Sequence, residues 1–253
     1  LRNVEADQYM TFSEDRSDNV WVDSDPNGIR TCSESSFYRI SDATGELGSL
    51  WSGWYNLSYN ANTVLANVDG VEFSDELTKK QFKGEALFLR ALAHFELVRS
   101  FGRVPIIDHV LASTQEAKTI PQSEGKDVIL NSVIPDLLEA EKLLPYRAEM
   151  KGSTGKSIAG EGRADRLAAQ ALLARVYMTL KGYPYNDASA KAQAKSYLET
   201  VVKNGASYFA PNMSEWKRQF LTDNTAANKY QIFGIQHRLG TGNQLTFISG
   251  TMI

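Results

Sequence analysis

The stretch from Ser74 to Gly102 constrains this chain more than any other. It opens with Ser74-Asp75-Glu76, in which Ser74 is a natural N-cap. It then runs through KKQFKGEALFLRALAHFELVRSFG until Gly102 ends it and Pro105 forbids its continuation. A helix of this length needs neighbours for its apolar surface, and the flanking sequence supplies them. Leu47, Leu50, Trp51, Trp54, Tyr55, Val64, Leu65 and Val68 recur at roughly three- and four-residue spacing, and Asp69-Gly70 closes that segment. The two segments predict an antiparallel helical hairpin.

The pattern continues downstream. A third helix is expected over Ser123 to Leu144, its stripe made by Val128, Ile129, Val133, Ile134, Leu137, Leu138 and Leu144. Pro135 predicts a kink or a break inside it, and Pro145 stops it. Residues 146–162 are rich in Gly, Ser and Lys and read as a flexible loop. A fourth helix, RADRLAAQALLARVYMTLKG, and a fifth, DASAKAQAKSYLETVVKNG, end at Gly182 and Gly205, with Asp187 as the expected cap of the fifth. A short helix is expected near Met213 to Leu221, and YQIFGIQHRL alternates as a strand would. Ala171 and Ala174 let two helices approach closely, and Tyr177 fills the groove beside them, which is the packing logic of tetratricopeptide helix pairs. The fold class expected is mainly α: a tetratricopeptide-like helical-pair scaffold, an α-α superhelix, with long loops and minor β, as one domain over residues 1–253.

Several functions are argued against. The formal net charge of −3 gives no basic face for nucleic acid. No apolar run approaches the length of a membrane helix. Cys32 is the only cysteine, so neither an internal disulfide nor a thiolate zinc cluster is available. His94, His109 and His237 are the only histidines, and neither an HExxH helix nor a GxSxG elbow occurs. His94 reads as a packed or exposed helix residue. GSTGKS at 152–157 resembles a phosphate-binding loop, but Met150 stands where the first glycine belongs and a Pro-stopped helix precedes it. The acidic residues between Glu14 and Asp25 could pair as in a glycosidase, yet a solvated acidic loop is the plainer reading. No enzyme is expected, and no cofactor.

Asp23 to Glu34, DSDPNGIRTCSE, fits the EF-hand loop pattern letter by letter. Its flanks carry no helical stripe, Arg30 occupies the aliphatic position, and Pro26 stiffens the turn. Asp23, Asp25 and Asn27 still offer oxygen ligands close enough in sequence to hold Ca2+ in some other geometry.

Residues 1–46 are irregular and dominated by small polar residues, and long ordered loops are often functional. Aromatics concentrate just there and in the next helix: Trp21, Phe37, Tyr38, Trp51, Trp54, Tyr55 and Tyr59. A sugar ring is apolar on its faces and polar at its edge. A site for it therefore sets an exposed aromatic flat against the ring and surrounds it with Asp, Asn or Arg. Asp18, Asn19, Trp21, Asp25, Arg30, Tyr38, Arg39 and Trp51 supply that set. Trp54, Tyr55 and Tyr59 lie at helical spacing and are expected in the core.

KGEALFLRALAHFELVRSFGRVPII, residues 83–107, closely resembles the signature of the SusD/RagB family. The matching elements are Gly84-Glu85-Ala86, Arg90-Ala91 and Phe101-Gly102-Arg103-Val104-Pro105. Further pieces fall in the family's order: SDNV at 17–20, Trp51 and Tyr55, NAN at 60–62, DLLEAEKLLP at 136–145, GRADRLAAQALLARVYM at 162–178 and NKYQIFGIQH at 228–237. The resemblance implies a non-enzymatic glycan-capturing lipoprotein facing outward on the outer membrane of Bacteroidetes. It implies delivery of oligosaccharide to a SusC-like TonB-dependent transporter, and membrane attachment only through a lipid anchor outside these residues. It also implies that the chain is the N-terminal part of a longer protein. The contrasting expectation, from the helical-pair scaffold alone, is a protein–protein interaction module of the tetratricopeptide type.

Overall fold

The computed structural model describes residues 45–73, 75–158, 162–218 and 232–234. Helix α1 spans Gly45–Asn67 and passes into a 3-10 turn at Val68–Gly70. Helix α2 spans Glu76–Phe101. Its N-cap is Asp75, whose carboxylate accepts from Leu77 N–H at 2.6 Å and Thr78 N–H at 3.3 Å. The sequence pointed to Ser74, which lies outside the described residues. Aspartate caps as well as serine does, so the two adjacent candidates compete on equal terms.

A two-residue strand β1, Val104–Pro105, pairs antiparallel with β2, Gln122–Ser123, and the four-residue α3, Thr114–Ala117, lies between them. The expected third helix is three pieces wound in succession: α4 at Gly125–Val128, a π turn at Ile129–Val133, and α5 at Ile134–Leu143. Pro135 changes the winding without breaking the rod. It stands in the first turn of α5, where a missing N–H is tolerated, and the wider π turn precedes it.

Helices α6, Arg166–Lys181, and α7, Ala190–Asn204, form the second hairpin, and the short α8, Met213–Arg218, follows. Asp165 caps α6 through Ala168 N–H at 2.8 Å. Asp187 does not cap α7. Its carboxylate accepts from Ser189 N–H and Oγ in the turn before the helix and meets Lys126 at 3.0 Å. Residues 147–149 form a 3-10 turn and Lys151 bridges Ser157, so part of the presumed flexible loop is an ordered hairpin with Gly155 at φ +74°. Among the described residues that hairpin follows helical elements and has no strand directly before it; the phosphate-loop resemblance is a turn.

Each long helix packs against the next: α1 on α2, α2 on α5, α5 on α6, α6 on α7. α2 is the centre of the stack. Phe88, Ala91, Leu92, Ala93, Phe95 and Leu97 are fully buried on it, together with Trp54 of α1 and Leu137 of α5. Each large side chain of this kind contributes about 1.5–3 kcal/mol of burial. Tyr59, expected in the core, is 51% exposed. The residue types at that helical spacing look apolar, but the interface turns away before the tyrosine.

Small residues set the spacing. Ala168, Ala169, Ala171 and Ala174 are buried on α6. A methyl group on Gly84 would stand 2.8 Å from Leu144 Cγ, so α2 and the end of α5 touch only because that residue is glycine.

Candidate functional site

Tyr55, Asn62, Arg90, His94 and Asp136, from three helices, converge on one arrangement. At the middle of α2, Arg90 binds Asp136 of α5 with both forks, Nη2 to Oδ1 at 2.6 Å and Nε to Oδ2 at 2.7 Å. Its remaining Nη1 donates to Asn62 Oδ1 at 2.9 Å and to the Asp108 carbonyl at 2.6 Å. Asn62 of α1 donates in turn to the carbonyls of Ile107 and His109, both at 3.0 Å. Tyr55 donates to the Pro105 carbonyl at 2.8 Å. Three helices thereby grip the segment 105–109 as it leaves β1.

His94 completes the grip. It is fully buried, and the Ile107 N–H donates to its Nε2 at 3.4 Å. A neutral imidazole has one donor and one acceptor nitrogen, so Nδ1 carries the proton and donates to Ser132 Oγ at 2.9 Å. Ser132 lies in the π turn. Burial, reinforced by the nearby Arg90 charge, lowers the His94 pKa to about 4 and keeps the ring neutral. The ring is neither exposed nor paired with a nucleophile in catalytic order; it is a buried connector.

A second network lies toward the start of α2. Arg163 binds Glu85 with both forks, and Gln81 donates to Glu85 Oε1 at 3.3 Å. Gln81 also pairs with the backbone of Lys151, donating to its carbonyl at 3.0 Å and accepting from its N–H at 3.1 Å. Burial raises the Glu85 pKa, opposed by its Arg163 partner. A third contact joins the ends of the α6–α7 hairpin: Tyr208 donates to Asp165 Oδ2 at 2.6 Å, with the Arg147 guanidinium 4.0 Å above the Tyr208 ring.

Of the eight sugar-contact candidates, Asp18, Asn19, Trp21, Asp25, Arg30, Tyr38 and Arg39 lie outside the described residues, as does the calcium-like loop at 23–34. Trp51 is described. It stands half-buried near the start of α1, its ring 4.9 Å from Tyr55 and edge-on to Phe101 at 5.0 Å. That cluster closes the end of the α1–α2 hairpin beside the gripped segment. Among the described residues no group of His, Cys, Asp and Glu side chains is arranged to hold a metal.

Sequence reading missed the exposed triad on that segment. His109 Nδ1 meets Asp108 Oδ1 at 2.8 Å and its Nε2 meets Glu116 Oε1 at 2.9 Å. Both ring nitrogens face carboxylates, and these hydrogen bonds, Asp108 first, raise the His109 pKa. Its only sequence signal was the spacing DH…E around a short helix, which many loops share.

The sequence profile of the SusD-like family, described as starch-binding and associating with the outer membrane, matches residues 5–178. The SusD-like protein P2 of Formosa agariphila is 26% identical over 204 residues, covering 81% of this chain and 36% of that protein. The crystal structure of a SusD superfamily protein from Parabacteroides distasonis is 30% identical with a TM-score of 0.58, covering 68% of this chain and 35% of that one. A SusD-like protein from Bacteroides fragilis is 26% identical with a TM-score of 0.63, covering 81% and 36%. The chain thus spans about a third of the length of the curated relatives it matches.

Proposed function

This chain belongs to the SusD-like family, and from that premise we propose that it captures oligosaccharide at the bacterial outer surface without chemical turnover. The profile match over residues 5–178 carries the reading, because it takes in both the α1–α5 scaffold and the polar, aromatic segment before it. The gripped segment 105–109 and the aromatic end of α1–α2 give that scaffold a rigid base. The sugar platform in this reading is Trp21 and Tyr38 stacking on ring faces, with Trp51 at its border. Asp18, Asn19, Asp25, Arg30 and Arg39 bind hydroxyls at the ring edges. Delivery to a SusC-like TonB-dependent transporter and attachment to the outer membrane through a lipid follow from the same family premise.

A calorimetric screen of the protein against soluble oligosaccharides tests this. Binding to at least one glycan is expected, weakened by about tenfold in Trp21→Ala, equivalent to about 1.4 kcal/mol of lost stacking. Absence of binding across the screen, or turnover of the sugar, refutes it.

A further inference from the structure

A cleft of about 550 Å³ opens on the scaffold between the first turns of α2, the end of α5, the 149–151 turn and the start of α6. It contains none of the proposed sugar contacts. Its lining is unlike a sugar site. No aromatic ring lines it among the described residues, and its apolar part is aliphatic: Leu77, Leu143 and Pro145. Leu77 is 71% exposed, which leaves its side chain available at the wall of the cleft.

The charged part is one-sided. Lys80, Lys142, Lys151 and Arg166 line it with one carboxylate, Glu149, and Asp75 at the start of α2 lies within reach of the Lys151 charge, in a chain whose formal net charge is −3. Lys142 reaches Glu139 at 3.0 Å, an exposed pair of little energetic weight. Lys80 and Lys151 form no ion pair among the described residues. The end of α2 itself contributes little to this field, since the Leu77 and Thr78 N–H groups are already taken by Asp75.

The walls are fixed before anything binds. Buried Gln81 clamps the Lys151 backbone from both sides. Arg166 is held by the Leu144 carbonyl at 2.9 Å and by the Tyr146 ring, whose centre lies 5.1 Å from its guanidinium carbon. A preorganised cleft with an aliphatic floor and a cationic rim complements an acidic segment that carries an aliphatic side chain.

We propose that this cleft is a docking site for an acidic peptide segment, with one aliphatic side chain seated on Leu77 and Leu143 and its carboxylates met by Lys80, Lys142, Lys151 and Arg166. The site does not depend on the glycan reading, and either can fail alone. The test is fluorescence polarisation on the full chain with a labelled short peptide in which one leucine is flanked by glutamates, against oligoglutamate of equal length. The leucine peptide is expected to bind more tightly. Lys80→Glu with Lys142→Glu should weaken it by about tenfold or more, and Glu149→Gln should tighten it. Leu77→Ser should remove its advantage over oligoglutamate. These side chains are exposed, and circular dichroism of each variant checks that the fold is kept; Lys80→Gln with Lys142→Gln is the milder form. The proposal is overturned by no binding, by equal binding of the two peptides, by indifference to the lysine changes, or by an acidic oligosaccharide outcompeting the peptide.

Discussion

His94 and His109 stand within the same grip and are held in opposite ways. Buried His94 accepts a hydrogen bond from Ile107 N–H, which a protonated ring cannot do. Its folded pKa, about 4, lies below the ordinary 6.5. The unfolded chain therefore binds the extra proton first as pH falls. The stabilisation is complete above about pH 6.5 and is lost toward pH 4, on the order of 3 kcal/mol at the low end. In His94→Gln the amide can accept from Ile107 and donate to Ser132 without titrating. Denaturant unfolding should show a shallower loss of stability between pH 6.5 and 4 in that variant than in the parent; equal slopes would refute the assignment. Exposed His109 is shifted upward by Asp108 and Glu116, so its contribution runs the other way, present at low pH and lost as pH rises through its raised pKa. NMR of the imidazole protons should place the two titrations on opposite sides of 6.5.

At the scale of elements, the long helices were legible because their apolar spacing and their Gly and Pro stops are local. The ends of α1, α2, α6 and α7 fall within a few residues of their expected positions. What escaped was set by distant partners. The π turn at Ile129–Val133 places Ser132 against His94, a residue thirty-eight positions away. The β1–β2 pair spans only two residues on each strand, too short for any alternation to register. The signature residues Gly84, Arg90 and Asp136 could be recognised as words, but their meaning, close approach and a bidentate clamp, needed the third dimension. The sugar-contact set was read from residue types in a loop, and of that set only Trp51 falls on a described element. The grip itself makes an element-scale prediction. Asn62 holds two carbonyls of the 105–109 segment, so Asn62→Ala should speed amide exchange at Ile107 and its neighbours by about tenfold while leaving α6 and α7 unchanged. That corresponds to about 1.4 kcal/mol of local stability. Uniform acceleration across the chain would show that Asn62 supports the whole fold instead.

Across the whole molecule, α2 is tied on one side to α1, on the other to α5, and through Glu85 to Arg163 before α6. These ties cross the α1–α2 and α2–α5 interfaces and reach the residues just before α6. Breaking a buried charge pair leaves its partner stranded, so Asp136→Asn should cost about 3 kcal/mol and lower Tm by roughly 6–12 °C. Far-ultraviolet and tyrosine signals should still fall together, since no helix of the stack is anchored alone; separated transitions would contradict that wiring. The same ties say something about how such a chain can change over generations. The hydrogen bonds from Tyr55, Asn62, Arg90 and His94 all reach the Pro105–His109 segment at its main-chain groups, while Ile106 packs on the core and the Asp108 charge stands within reach of Arg90 and His94. Main-chain bonds read no side chain, so the exposed positions of the segment are less constrained by this lock than Ile106, or than Ile107, whose N–H proline could not supply. Variation can accumulate at the exposed positions of this rim while the four residues that fasten it stay still.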